Sequence, residues 1–174
     1  MALAEAVRGL AESAGRPVVL IDGGAGSGKT TLALQLSEQW PTAERVQVVS
    51  LDELYPGWGG LAAGSLAVPA LIGGHGFRTW DWQRNAPGPV RTLDPSLALI
   101  VEGCGALTPA SRALAGLAIW IERDEATRRD RALDRDGAAF AAHWQEWATQ
   151  EEAHWLANRP WELADLTLGP VHAP

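Results

Sequence analysis

Eight residues constrain this chain more than any others: Gly23 to Thr30, reading GGAGSGKT. They follow the unbroken apolar run Val18 to Ile21 (VVLI) and precede a segment of helical character from Lys29 to about Trp40, which Pro41 halts. A short run with no polar alternation is how a strand buried on both faces of a parallel sheet reads. The glycines let backbone N–H groups crowd around an anion, and the start of the helix adds the positive end of its dipole. The full G-x-x-x-x-G-K-T spacing between strand and helix therefore predicts a site for a nucleotide's phosphate chain. Gly23, Gly24, Ala25, Gly26, Ser27, Gly28, Lys29, Thr30 and Thr31 are its expected residues, with the Thr30 hydroxyl joining a Mg²⁺ shell. Lys29 is the sole lysine among 14 basic residues, and a compact point charge suits a phosphate chain better than a planar guanidinium.

Further strands are predicted at Val46–Val49, Leu97–Val101, Leu117–Ile121 and, more weakly, Ala164–Leu168. Helices are predicted at Leu3–Ala14, Pro109–Leu117 behind the Thr108 cap, Glu125–Leu133 behind Asp124, and Ala138–Ala157, ended by Pro160. Leu61–Ile72 is a further helix candidate despite Gly64 and Pro69. The alternation implies one α/β domain, residues 1–174, with helices on both faces of a parallel five-stranded sheet. Residues 54–93 hold few firm elements, too long a stretch for a mere connection, and are read as an acceptor-binding subregion. TWDW (79–82) is either part of that pocket's wall or a short edge strand.

Composition narrows the partners. With 21 acidic and 14 basic residues the formal charge is −7, which disfavours a phosphate backbone as partner, so no stable nucleic-acid complex is expected. One cysteine, Cys104, excludes an intrachain disulfide and a cysteine-rich metal site. The N-terminal segment lacks a continuous apolar stretch, and no run of 18 apolar residues occurs, so the expectation is a cytoplasmic protein without membrane attachment.

Acidic and arginine side chains suggest the chemistry. Asp52 and Glu53 follow the second strand, on the carboxyl edge of the sheet where the glycine turn lies. A carboxylate there can orient or deprotonate an acceptor hydroxyl, and Asp52 is the candidate. Glu102 closes the LALIV strand before Gly103, placed to hold Mg²⁺ or touch an acceptor. Arg128, Arg131 and Arg135 share a helical face and fit either a salt-bridged solvent helix or a lid over residues 123–137, with Arg128 at the nucleotide and Arg131 and Arg135 stabilising a transferring phosphoryl group. Trp80, Asp81, Trp82 and Arg84 are candidate pocket residues. On the following helix, Phe140, Trp144, Trp147 and Glu151 fall at about 0°, 40°, −20° and 20°. The three rings read as core. Glu151 is then a buried carboxylate needing a partner, with a lid arginine, Arg84 or an acceptor hydroxyl as candidates, unless the helix tilts outwards after Trp147 and leaves it wet; Glu152 faces solvent.

Four stretches in order resemble the P-loop kinases of small molecules, specifically the uridine kinase-like and nucleoside monophosphate kinase group. IDGGAGSGKTT (21–31) is similar to their opening, LDELY (51–55) to the Asp-Asp-Phe-Tyr stretch after strand two, LIVEG (99–103) to their third strand, and RRDR with Arg135-Asp136 to their lid. The resemblance implies a three-layer P-loop NTPase fold and ATP-dependent, Mg²⁺-assisted transfer to a hydroxyl of a small molecule, with Asp52 and Tyr55 at the acceptor. The alternative is an ATPase or nucleotide-binding regulator with no small-molecule acceptor. A GTPase is disfavoured because Asn-Lys-x-Asp cannot occur in a chain whose one lysine is Lys29.

Overall fold

The computed structural model describes residues 3–13, 15–43 and 45–169, with the side chain of Asp136 excepted. Five parallel strands form the central sheet: β1 (Val18–Gly23), β2 (Val46–Ser50), β5 (Ala98–Glu102), β6 (Leu117–Ile121) and β7 (Leu166–Leu168), in the order β2-β5-β1-β6-β7. Every residue of β1, β5 and β6 is buried, as their apolar runs require.

Successive side chains along each strand enter opposite layers. Val19 and Ile21 of β1, Ile100 of β5 and Ile119 of β6 pack with Ala6 and Val7 of α1 (Leu3–Ala11) and Ala33 of α2 (Lys29–Glu38). Val18, Leu20, Leu99, Val101 and Ala118 pack on the other side with Val68 and Leu71 of α3 (Leu61–Ile72) and Trp144 and Trp147 of α6 (Trp144–Asn158). Three layers result. Because the strands are parallel, the glycine turn after β1, the turn after β2 and the loop after β5 all emerge at one edge.

Several elements differ from the sequence expectation. Helix α4 spans only Pro109–Arg112, behind the Thr108 capping box, because Leu114 and Ala115 turn into tighter i→i−3 bonds and Gly116 N–H donates to Val18 O at 3.0 Å, starting the next strand. The helix expected over 138–157 is divided. Helix α5 (Glu125–Ala141) breaks at Gly137 (φ 63°, ψ −147°), and α6 starts afresh after His143. Phe140 therefore belongs to α5, while Trp144, Trp147 and Glu151 keep their shared face on α6. Within residues 54–93 lie α3, matching its expected bounds, and an antiparallel hairpin of β3 (Phe77–Asp81) and β4 (Ala86–Arg91), detached from the main sheet. Thr79, Trp80 and Asp81 of TWDW are thus hairpin strand. Arg91 fastens the hairpin, donating to Glu53 Oε1 and Oε2 at 2.6 and 2.7 Å and to Val48 O at 2.8 Å.

Candidate functional site

The glycine loop wraps from the end of β1 into α2. Its first anchor is Asp22, fully buried, which sequence reasoning gave no role. Its Oδ1 accepts from Gly23 N–H (2.6 Å) and Gly105 N–H (3.1 Å), and Oδ2 from Leu107 N–H (2.8 Å), tying the loop to the segment after β5. Lys29 Nζ curls back beneath the loop and donates to Gly23 O (2.8 Å), Gly24 O (2.9 Å) and Cys104 Sγ (3.4 Å). Burial opposes its charge, but Cys104, Glu102, Glu151 and Asp22 outweigh that and raise its pKa, so the ammonium is held firmly.

The loop's outer side rests on Arg128. A Cβ at Gly26 (φ 77°) would stand 2.0 Å from Arg128 O, and one at Gly24 would stand 2.2 Å from Arg128 Nη1. Only glycine fits such an approach. Arg128 is itself buried, donating to Ala25 O and to Glu151 Oε2, each at 3.3 Å, with its guanidinium over the Trp155 ring. Glu151 Oε1 accepts from Ala25 N–H at 2.6 Å and from the Cys104 thiol at 3.1 Å. Arg128, expected at the nucleotide, is placed behind the loop as its support.

On the open side, a cavity of about 630 Å³ is lined by Ala25, Gly26 and Gly28 to Thr31 of the loop and by Asp52, Tyr55, Glu102, Arg131 and Arg135. Arg131 overlies the loop, its guanidinium 3.6 Å from where a Cβ on Gly28 would stand. Glu102 is buried and accepts from Thr30 Oγ1 at 3.1 Å. Burial raises its pKa, against the opposing pull of Lys29 and hydrogen bonds from Ser50 and Thr30. Of the two acidic residues after β2, Glu53 is committed to Arg91, whereas Asp52 borders the cavity from a 3₁₀ turn (Leu51–Glu53). Gly23, Gly24 and Ser27 shape the loop without facing the cavity.

The acceptor side is only partly as expected. Tyr55 lines the cavity, buried, its hydroxyl donating to Cys104 O at 2.7 Å; burial drives its pKa well up. Trp80, Asp81 and Arg84 do not line it. The Trp80 ring packs near Gly57, and Asp81 Oδ1 accepts from Gln83 and Arg84 N–H at 3.0 Å each, closing the hairpin turn. Arg84 meets Asp81 at 3.7 Å as an exposed pair. Trp82 does reach the cavity, joined by Trp58, Phe140 and Trp147. Trp58 was not legible: nothing in a glycine-rich stretch marks one ring as facing inwards. Cys104 likewise carries no sequence signal beyond being alone, yet it stands between Lys29 and Glu151.

No helix among the described residues is long and apolar enough to cross a membrane. No protein-family profile and no curated protein sequence matches the chain. Solved structures do. A provisionally named fructose transport system kinase from Silicibacter sp. TM1040 superposes with a TM-score of 0.67 at 22% identity, covering 97% of this chain and 100% of that one. A provisionally named uridine kinase from Bacillus stearothermophilus gives 0.63 at 18% identity, with the same coverage of 97% and 100%. Together with the glycine loop at the switch between β5 and β6 around β1, these likenesses establish that the chain has a P-loop kinase fold.

Proposed function

We propose that this protein transfers the γ-phosphoryl group of ATP to a hydroxyl of a small molecule. The observation that carries the reading is that one cavity joins the phosphate loop to Asp52. In the transfer, the acceptor oxygen bonds to the γ-phosphorus as the bond to the β–γ bridging oxygen breaks. The hydroxyl proton passes to the Asp52 carboxylate, and ADP leaves. Asp52 orients and deprotonates the acceptor. The loop's N–H groups and Lys29 hold the phosphate chain, and Arg131 and Arg135 approach the moving group from α5.

Thr30 and Glu102 fit a magnesium site: a hydroxyl and a carboxylate, hard oxygen donors 3.1 Å apart, at the cavity floor. Among the described residues no cluster of three or more His, Cys, Asp or Glu residues could hold a metal by itself, and Mg²⁺ characteristically takes few protein ligands beside phosphates and water. When bound, the ion would neutralise charge on the β- and γ-phosphate oxygens.

The test is ADP formation across a panel of alcohols. Asp52→Asn should keep ATP affinity and lose about 10²–10⁴ in kcat, since the amide keeps the shape without the base. A mutant as active as the wild type would remove Asp52 from the chemistry. ATP loss at full rate with no acceptor present would favour a hydrolase.

A further inference from the structure

The wall of the cavity beyond Asp52 indicates what kind of alcohol it takes. Resting on the kinase reading above, we propose that the acceptor is an alcohol carried on a flat, aromatic or heteroaromatic ring, not a polyol sugar and not a nucleoside.

Three observations converge. The first is ring density: Tyr55, Trp58, Trp82, Phe140 and Trp147 all line this one cavity. Trp58 meets Trp82 at 5.0 Å and Phe140 at 5.6 Å between centroids. The second is that these rings are held in place before any ligand arrives. His143 stacks on Trp58 at 4.4 Å and 9°, and Gln150 Nε2 donates to Trp58 O at 2.7 Å. Trp82 Nε1 donates to Asp52 O at 2.8 Å, which fixes the ring wall to the residue proposed to receive the proton. Trp82 nonetheless stays 37% exposed, an apolar face at the rim without a full partner.

The third is the kind of polar group the lining lacks. A polyol or a base edge is selected by side chains that both donate and accept, and a site built for them rejects analogues lacking those groups. Among the described residues no Asn, Gln or His lines the cavity, and of its hydroxyls Thr30 and Ser50 are bonded to Glu102 while Thr31 belongs to the glycine loop. The charged side chains there are Lys29, Asp52, Glu102, Arg131 and Arg135, which the transfer itself employs. The polar tips of Tyr55 and Trp82 are already engaged by Cys104 O and Asp52 O. What remains for the body of the acceptor is aromatic surface, chiefly that of Trp58 and Trp82 because Tyr55, Phe140 and Trp147 are buried, and it favours stacking and edge contacts.

The experiment is an NMR titration of the full chain, with Mg²⁺ and a non-hydrolysable ATP analogue, using 3-(hydroxymethyl)pyridine, benzyl alcohol, fructose and uridine. A ring alcohol should bind at least about tenfold more tightly than fructose or uridine, and Trp82→Ala should lose about tenfold for the ring alcohol alone, as expected for one aromatic pair. Equal or tighter binding of fructose or uridine overturns the proposal, as does an unchanged ring-alcohol affinity in Trp82→Ala with the fold verified by circular dichroism. Weakened binding of the ATP analogue by Trp82→Ala would assign the rings to the nucleotide base and also overturn it. Phosphoryl transfer is read separately by product mass: ring alcohols that bind but are never phosphorylated defeat the kinase reading, while fructose or uridine phosphorylated in preference defeats only this inference.

Discussion

Glu151 and Arg128 meet at 3.3 Å beneath the glycine loop, and the other oxygen of Glu151 accepts from Ala25 N–H of that loop at 2.6 Å. One carboxylate on α6 thus joins the start of α5 to the loop after β1. Both side chains are nearly excluded from solvent, so each needs the other: a buried charge left alone costs far more than an exposed one.

Glu151→Gln should destabilise the protein by about 3 kcal/mol, since it leaves the Arg128 charge buried without its counter-ion. For a chain of this size that lowers Tm by roughly 6–12 °C. Glu152→Gln, one residue on and exposed, should stay within about 0.5 kcal/mol of the wild type. Thermal melts of the two variants side by side check the pair; similar melts would strip Glu151 of its role.

Gly26→Ala should disable the loop. The added methyl must sit at φ 77° and 2.0 Å from the Arg128 carbonyl oxygen, which is backbone and cannot swing aside. A loss of at least about 2 kcal/mol is expected from the left-handed backbone and the clash. Gly9→Ala is the control, because a Cβ there meets nothing within 4 Å. Chemical denaturation compares them.

Lys29→Ala should reduce phosphoryl transfer by at least about 10²-fold through loss of a charge on the moving group. The fold should survive, with unchanged far-ultraviolet circular dichroism. Near-wild-type turnover in this variant would mean the loop does not work as proposed.

Glu102 should make stability depend on pH. Its folded pKa is raised above the ordinary 4.5 by burial, so the folded state holds its proton more tightly than the unfolded chain does. That contribution is fully present below the unfolded pKa and is lost as pH rises through the raised folded value. Glu102→Gln should therefore flatten this part of the Tm–pH curve and melt above the wild type once Glu102 is ionised. Parallel curves for the two proteins would count against the assignment.

Periodicity and local chemistry made much of this molecule readable from its residues. The unbroken runs at β1, β5 and β6 could be satisfied only by burial on both faces, and GGAGSGKT carries its own geometry because glycine conformations, a helix start and one lysine are all local. The phase of Glu151 against Trp144 and Trp147 is likewise a property of one helix, so its burial followed from spacing, and a lid arginine was among the partners anticipated for it. Tertiary structure decided what depends on distant segments meeting. It settled that Arg128 of the candidate lid arginines would turn under the loop, where Gly24 and Gly26 leave room for it. It detached β3 and β4 from the main sheet, turning Asp81 into a turn cap while Trp82 and Trp58 reached the cavity. It also separated Asp52 from Glu53, since Arg91, 38 residues downstream of Glu53, claims the glutamate. A carboxylate's type and neighbours in sequence do not reveal which cation will fold back to neutralise it, and that pairing is fixed only when the chain closes on itself.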